Sequence, residues 1–129
     1  MDKLNELTYV GQAENVIKSL QVRNNKGQLY IPLTASKIRN LLSMISEIYN
    51  LAVHEPGKEL SIEVQGRIQY LKMRFVYEAG REKTVKDFVD RANILQYIDQ
   101  IGNNREKFLL FCRYMEALVA YHKFYGGRD

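Results

Sequence analysis

The stretch from Asn104 to Tyr125, NREKFLLFCRYMEALVAYHKFY, decides the fold class of this chain. Its apolar side chains recur at steps of three and four, the spacing of an amphipathic helix. They cover two adjoining helical faces, one with Phe108, Phe111, Cys112, Met115, Leu118, Val119 and His122, the other with Leu110, Tyr114, Ala117, Tyr121 and Tyr125. An apolar arc of this width is typical of a helix in the middle of a bundle.

The same spacing predicts four further helices upstream. They cover residues 9–21, a segment that starts at Thr34 or Ser36 and stops near His54, residues 59–79, and residues 84–102. Residues 22–33 form the longest irregular stretch, in which only Gln28 to Ile31 is expected to be a short extended piece. We therefore predict an all-α fold, a compact bundle of about five helices, with residues 1–129 in a single domain.

Several helix ends carry recognisable signals. Gly80 is a natural end for the third helix because glycine is common just after a helix. Thr84 with Asp87, and Asn103 with Glu106, read as capping pairs that open the fourth and fifth helices.

Composition narrows the class of protein. With 129 residues, 46% of them hydrophobic and 26% charged, the chain can bury a core without a disulfide or a metal ion. A net charge of +4 and a pI near 9.2 favour polyanionic partners. The lone Cys112 excludes an internal disulfide and fits a reducing cytoplasm.

The amino terminus gives no sign of secretion or membrane insertion. Residues 1–7 include acidic Asp2 and Glu6, and no segment approaches the roughly 18 consecutive apolar residues of a membrane span. We expect no membrane association and a cytoplasmic location.

The histidines and the cysteine, residue types that often act in catalysis, are not arranged as in an active site, so we predict no enzymatic activity. The two histidines, His54 and His122, do not lie at metal-ligand spacing from other ligands, so no metal or other cofactor is expected. His122 and Cys112 lie on apolar helical faces, which favours a hydrogen-bonded structural histidine and an inert buried thiol. The alternative is a small metal-dependent nuclease that uses His122, Glu116 and a basic surface.

One helical face carries chemistry suited to nucleic acid. Arg67, Tyr70, Arg74, Tyr77 and Arg81 fall at steps of three and four, and we call these five residues the basic-aromatic stripe. The opposite face carries Val64, Ile68, Leu71, Phe75 and Ala79, which is a core-facing ridge. Guanidinium groups bind phosphates and aromatic rings stack on bases or sugars, so the stripe predicts contact with a nucleic-acid backbone.

Two other interpretations of the stripe remain open. Glu63 and Glu78 are close enough in sequence to pair with the arginines, as on an ordinary solvated helix. Tyr70 and Tyr77 could instead pack against another protein, in which case the chain is a protein-interaction module without RNA contact.

Three runs of sequence resemble one known family. They are Ser36–Leu42 (SKIRNLL), Tyr70–Arg81 (YLKMRFVYEAGR) and Phe111–Lys123 (FCRYMEALVAYHK), the last followed by Gly126-Gly127. In this order they resemble the small subunit of the type III-A CRISPR–Cas effector, the Csm interference complex. The resemblance covers about residues 34–127, and the amino-terminal helix contributes little to it.

The resemblance implies a small all-helical scaffold that is present in several copies. Such subunits line the duplex of guide RNA and target RNA, beside the backbone subunits and the large polymerase-like subunit that perform the chemistry. The positions that the resemblance marks as RNA contacts are Lys37, Arg39, Arg67, Lys72, Arg74 and Arg81. Base pairing reads the sequence of the target, so the protein needs only contacts to shape and phosphates.

Overall fold

The computed structural model describes residues 3–127, which form six helices and one two-stranded antiparallel sheet. The elements are α1 (Tyr9–Ser19), β1 (Val22–Arg23), β2 (Leu29–Tyr30), α2 (Ala35–Val53), α3 (Ile62–Arg81), α4 (Lys83–Arg91), α5 (Ile94–Ile101) and α6 (Arg105–Phe124). The all-α prediction is confirmed, with one helix more than the sequence indicated. Residues 1, 2, 128 and 129, among them Asp2 of the amino-terminal prediction, lie outside the described residues.

Helix α6 lies at the centre of the fold. It packs against α1, α2 and α5, and the aromatic rings of Phe108, Phe111 and Tyr114 have no solvent exposure. Most of the wide apolar arc of residues 104–125 is therefore buried from several sides, as predicted, whereas Ala117, Val119, Tyr121 and Tyr125 are half-buried. Between residues 3 and 127, no helix combines the length and the apolar character that crossing a bilayer requires.

Helix α3 packs against α2, α4 and α5 through one face only. The buried residues of that face are Val64, Ile68, Leu71 and Phe75. Ser61 starts the helix, since its hydroxyl accepts a hydrogen bond from the Val64 amide at 3.1 Å. The helix then continues through Gly80 to Arg81, so the predicted end at Gly80 is wrong.

The predicted helix over residues 84–102 is two helices. Asn93 adopts a left-handed conformation with φ of 55°, which separates α4 from α5. Asparagine tolerates this conformation better than most residues. The break lets Ile94 and Tyr97 of α5 point into the core. The prediction failed because apolar spacing continues across Asn93 with little change.

Two predicted caps are also wrong. Helix α4 begins at Lys83, and its N-cap residue makes no side-chain hydrogen bond, so Thr84 does not cap it. Helix α6 is capped by Asn104, whose side chain accepts from the Lys107 amide at 3.0 Å, one residue later than predicted.

The irregular stretch contains a short β-hairpin. Strands β1 and β2 pair Val22 with Tyr30 and Arg23 with Leu29. The side-chain oxygen of Asn24 accepts hydrogen bonds from the amides of Lys26 at 2.8 Å and Gln28 at 3.0 Å and closes the turn. The short extended piece expected near Gln28 to Ile31 is confirmed, whereas β1 has too few residues to show alternation.

Candidate nucleic-acid interface

The basic-aromatic stripe lies on the solvent side of α3. Tyr70 is 59% exposed and Tyr77 is 57% exposed, whereas Ile68 and Leu71 on the opposite face are each 2% exposed. The division into an outer and an inner face follows the helical period that the sequence showed. The stripe residues are therefore accessible to a partner, although their role as RNA contacts stays a prediction.

Three arginines of the stripe form a regular row. Arg67, Arg74 and Arg81 are seven residues apart, which is about 10.5 Å for each step of an α-helix. Two heptads leave the three side chains within a narrow sector of the helix surface. The row thus presents cationic groups along about 21 Å of a single helix.

The first and last arginines of the row have carboxylate partners on α3 itself. Arg67 lies 3.3 Å from Glu63, and Arg81 lies 3.2 Å from Glu78. The guanidinium of Arg81 also lies over the ring of Tyr77, 5.6 Å from its centroid. Exposed pairs of this kind stabilise a helix by only a few tenths of a kcal/mol. Their arginines can therefore exchange partners at small cost.

Arg74, the central arginine, differs from its two neighbours. It is exposed and forms no ion pair with any residue between 3 and 127. It lines two adjoining surface pockets between α2 and α3. Ser43 and Met44 of α2 line both pockets as well. We call the two pockets together the α2–α3 groove. Arg74 is therefore a cation without a carboxylate partner in the described chain, positioned at the middle of a groove.

Lys37 stands at one end of the α2–α3 groove. It belongs to the first turn of α2, where the side chain of Thr34 accepts from its amide. Its ammonium group forms an ion pair with Glu82 at the junction of α3 and α4. Arg81 and Glu82 line the same end of the groove, so the structure brings Lys37 to the arginine row. Arg39 is exposed on α2 and is not among the residues that line the groove.

Lys72 is separated from the stripe. Its ammonium nitrogen lies 2.7 Å from a carboxylate oxygen of Asp99 on α5. Two residues on an α-helix are rotated by about 200°, so Lys72 points away from both Tyr70 and Arg74. The resemblance marked Lys72 as an RNA contact together with the arginines, but the fold places it on the far flank of α3.

Sequence reasoning missed two groups of residues near the stripe. The first group is polar and belongs to α2, where Asn40 and Ser43 line the groove. The second is apolar and belongs to α3, where Met73 is 54% exposed and Val76 is 49% exposed. Met73 lies three residues after Tyr70, a spacing that could have revealed it. The groove residues of α2 gave no comparable signal, since they become neighbours of α3 only in the folded chain.

The residues considered for catalysis occupy structural positions. His122 is 1% exposed, and its Nε2 donates a hydrogen bond to the carbonyl of Leu33 at 2.7 Å. Cys112 is 3% exposed, and burial raises the pKa of its thiol well above the ordinary value. Both structural interpretations are confirmed. Glu116 is exposed and lies on a different face of α6 from His122.

The side chains that could bind a metal ion are scattered over the fold. In the described part of the chain, no group of three or more histidine, cysteine, aspartate or glutamate residues is arranged to hold one.

Comparison with known proteins identifies the family. A family model described as Csm2 Type III-A matches residues 10–128. A protein named CRISPR system Cms protein Csm2 from Streptococcus thermophilus is 47% identical over 126 residues, which is 98% of each chain. Proteins of the same name from Mycobacterium tuberculosis and Enterococcus italicus are 40% identical over 121 residues and 36% identical over 134 residues. The alignment with the Mycobacterium tuberculosis protein covers 94% of each chain. The alignment with the Enterococcus italicus protein covers 98% of this chain and 96% of the relative.

These matches confirm the resemblance that residues 34–127 indicated. They also extend it to the amino-terminal helix, which carried little of it in the sequence. The chain belongs to the Csm2 type III-A family.

Proposed function

We propose that this chain is a non-catalytic scaffold subunit of a type III-A CRISPR effector, which binds the backbone of the duplex between guide RNA and target RNA without sequence specificity. In this role it helps to position the target RNA. The observation that carries the proposal is Arg74, an exposed guanidinium without a carboxylate partner in the described residues, at the middle of a row of three arginines.

Electrostatics supports phosphate as the ligand of this row. A guanidinium group can donate two parallel hydrogen bonds to a phosphate, and a charged acceptor makes these bonds stronger than neutral ones. Arg67 could leave the exposed Glu63, and Arg81 the half-buried Glu78, for a phosphate at little cost. Lys37 and Arg39 on α2 would extend the contact, while Tyr70 and Tyr77 would lie against sugars or bases.

Assembly of several copies of this chain with other subunits would favour the same function. Other Csm subunits and further copies of this chain are the expected protein partners, and the site of action is the cytoplasm. A single copy with three to five phosphate contacts binds RNA weakly, but several copies along one duplex raise the overall affinity through avidity. The backbone and polymerase-like subunits would perform cleavage and nucleotide chemistry.

The first test removes two cations of the row. We expect the Arg67→Ala/Arg74→Ala variant to lose affinity for RNA of any sequence, because each arginine releases counterions when it binds a phosphate. The slope of log affinity against log salt should fall by about 0.7 to 0.9 for each lost contact. Filter binding or anisotropy with duplex RNA over a salt series measures both quantities.

A matched control removes the same charge elsewhere. Arg113→Ala/Lys123→Ala takes two exposed cations from α6, away from the groove. It should retain the parental salt slope. If both double variants lose RNA equally, the arginine row has no special role and only net charge matters.

A protein-interaction module remains the second candidate, because Met73 and Val76 are exposed on the same helix. The Arg74→Glu variant separates the two functions. Lost assembly with the other subunits in the absence of RNA would indicate a protein contact. Intact assembly with weak RNA binding would indicate a phosphate contact.

The nuclease alternative has a direct test. We expect the purified chain to leave labelled RNA intact in the presence of Mg²⁺ or Mn²⁺. Metal-dependent cutting that the His122→Ala variant abolishes would contradict the proposal of a non-catalytic scaffold.

A further inference from the structure

Glu47 of α2 is a residue of the α2–α3 groove that phosphate binding does not explain. It lines the groove together with Tyr70 and Arg74 of α3. Its side chain is exposed and forms no ion pair with any residue between 3 and 127. A free carboxylate at this place repels phosphates and weakens the binding of a polyanion. The glutamate therefore fits a ligand group other than phosphate.

The part of the α2–α3 groove that Glu47 lines has the composition of a small-ligand site, and we call it the Glu47 pocket. Buried Ile48 and Leu71 and half-buried Met44 form its apolar floor, and the half-exposed ring of Tyr70 stands beside them. The pocket has a volume of about 360 Å³. Sites for small ligands have volumes of about 300–1,000 Å³ and combine apolar walls with a few polar groups.

Glu47 and Arg74 line this pocket from opposite helices, yet no ion pair joins them. A ligand that lies between them can satisfy both if it has N–H donors on one edge and acceptors on another. If the ligand is also a flat ring, it can stack on Tyr70. Nucleobases have all three properties.

Guanine is the base whose edges match these two side chains. Its N1–H and N2–H₂ groups are neighbouring donors that suit the two oxygens of a carboxylate, and its O6 and N7 accept from a guanidinium. Adenine and cytosine have a single exocyclic amino donor, and uracil has a single ring N–H, so each leaves one carboxylate oxygen without a donor. The N1 and N2 groups are free only when guanine is unpaired.

We propose that the Glu47 pocket binds one unpaired guanine base of an RNA strand. Glu47 accepts from N1 and N2 of the base, Arg74 donates to O6 and N7, and Tyr70 stacks on the ring. A guanidinium has five N–H donors, so Arg74 can contact the base and still donate to a phosphate. This inference goes beyond the proposed function, because contacts to the backbone alone do not read sequence.

RNA hairpins with a single unpaired nucleotide test the preference. The stems are identical, the unpaired nucleotide is G, A, C or U, and a fifth RNA is fully paired. We expect the full chain to bind the RNA with unpaired G about five-fold more tightly than the other four, as one bidentate base contact provides. Fluorescence anisotropy at constant salt measures the five affinities.

The Glu47→Gln variant separates base binding from electrostatic repulsion. It should lose the preference for unpaired G, whereas the fully paired RNA should bind slightly more tightly because a negative charge is removed. Glu63→Gln is the matched control, since Glu63 is an exposed carboxylate of α3 that does not line the groove. It should strengthen the binding of every RNA and keep the preference for G.

Replacing single atoms of the base assigns each contact. Inosine lacks the N2 amino group, so it should bind the parent more weakly than guanosine and the Glu47→Gln variant equally well. The base 7-deazaguanine lacks the N7 acceptor, and its loss of affinity should disappear in Arg74→Ala. Each pair of changes forms a double-mutant cycle, in which a coupling appears only if the two groups interact.

Two results would overturn the pocket. One is equal binding of all four unpaired nucleotides by the parent. The other is a Glu47→Gln variant that binds unpaired G more tightly by the same factor as the fully paired RNA, which would leave Glu47 with repulsion alone.

The two proposals can fail separately. If the fully paired RNA shows the expected salt slopes but no unpaired base is preferred, the pocket is wrong and the backbone function stands. If unpaired G is preferred while Arg67→Ala leaves the salt slope for paired RNA unchanged, the pocket stands and the arginine row does not bind phosphates.

Discussion

His122 shows how single residues tie distant segments of this chain together. Its ring is buried on α6 and donates a hydrogen bond to the Leu33 carbonyl, just before α2 begins. The backbone of Gly127 lies close to the ring, and its amide donates to the carbonyl of His122 at 2.8 Å. A side chain at position 127 would collide with the ring, since a Cβ atom there would overlap the Cε1 and Nδ1 atoms of His122. Position 127 therefore requires glycine for lack of space.

The Gly127→Ala substitution tests this contact. We expect it to lower the free energy of unfolding by about 1–3 kcal/mol, because overpacking a buried site displaces neighbouring atoms. Gly11→Ala is the matched control, since Gly11 lies within α1 and an added methyl group would meet no atom within 4 Å. That change should stabilise the chain by about 0.5–1 kcal/mol through helix propensity. Urea denaturation measures both, and equal effects would contradict the collision.

Among the secondary-structure elements, the connection between α2 and α3 determines how these two helices lie along the α2–α3 groove. The guanidinium of Arg105 donates to the carbonyls of Ala52 and Val53, each at 2.8 Å, and so completes the end of α2. Glu55 accepts a hydrogen bond from the Ser61 amide at 2.9 Å, immediately before α3 starts. These contacts hold the end of one helix and the start of the next, and so fix the arginine row relative to α2.

The Glu55 contact predicts a pH dependence. Hydrogen bonds from Ser61 hold the pKa of the Glu55 carboxyl below its ordinary value of 4.5. Because the pKa is lower in the folded chain than in the unfolded chain, the contact contributes its full stability above the unfolded value. That contribution is lost as the pH falls through the folded value. The difference in melting temperature between the parent and Glu55→Gln should therefore be largest near neutral pH and shrink in acid.

Glu116→Gln is the control for this experiment, since it removes an exposed carboxylate from α6. Its melting temperature should follow that of the parent across the same pH range. A difference between the parent and Glu55→Gln that stays constant from neutral pH into acid would contradict the proposed role of Glu55.

In the molecule as a whole, Tyr114 of α6 connects the core to the end of α4 through a hydrogen bond next to the break between α4 and α5. Its ring is fully buried and its hydroxyl donates to the Ala92 carbonyl at 2.9 Å. The ring also meets that of Tyr97 edge-on, with centroids 5.5 Å apart, and the Tyr97 hydroxyl accepts from Gln12 of α1. Burial raises the pKa of Tyr114 well above its ordinary value, so the hydroxyl keeps its proton.

The Tyr114→Phe substitution should therefore destabilise the fold. It removes one hydroxyl and leaves the Ala92 carbonyl without its donor, at a cost of about 1–3 kcal/mol for a buried polar group. Tyr49→Phe is the control, because the hydroxyl of this half-buried tyrosine makes no hydrogen bond within the described residues. Chemical denaturation of both variants measures the difference. Equal stability of the two would show that the buried hydrogen bond contributes nothing.

Most of the local structure and the family could be predicted from the order of residues along the chain. The helical period placed Phe108, Phe111 and Tyr114 in the core and Tyr70 and Tyr77 at the surface, because that period depends only on neighbours along the chain. The same reasoning overlooked the break at Asn93, since a single left-handed residue leaves the apolar spacing almost intact.

The ion-pair partners of the cations could not be predicted in this way, because they depend on how the helices pack. Lys37 meets Glu82, and Lys72 meets Asp99, across helices that are far apart in sequence. Arg74 lies beside a groove that exists only once α2 packs on α3. Helical spacing fixes the side of a helix on which a charge lies, whereas ion pairing depends on distances of a few ångströms between separate elements. Those distances are set by how the helices pack.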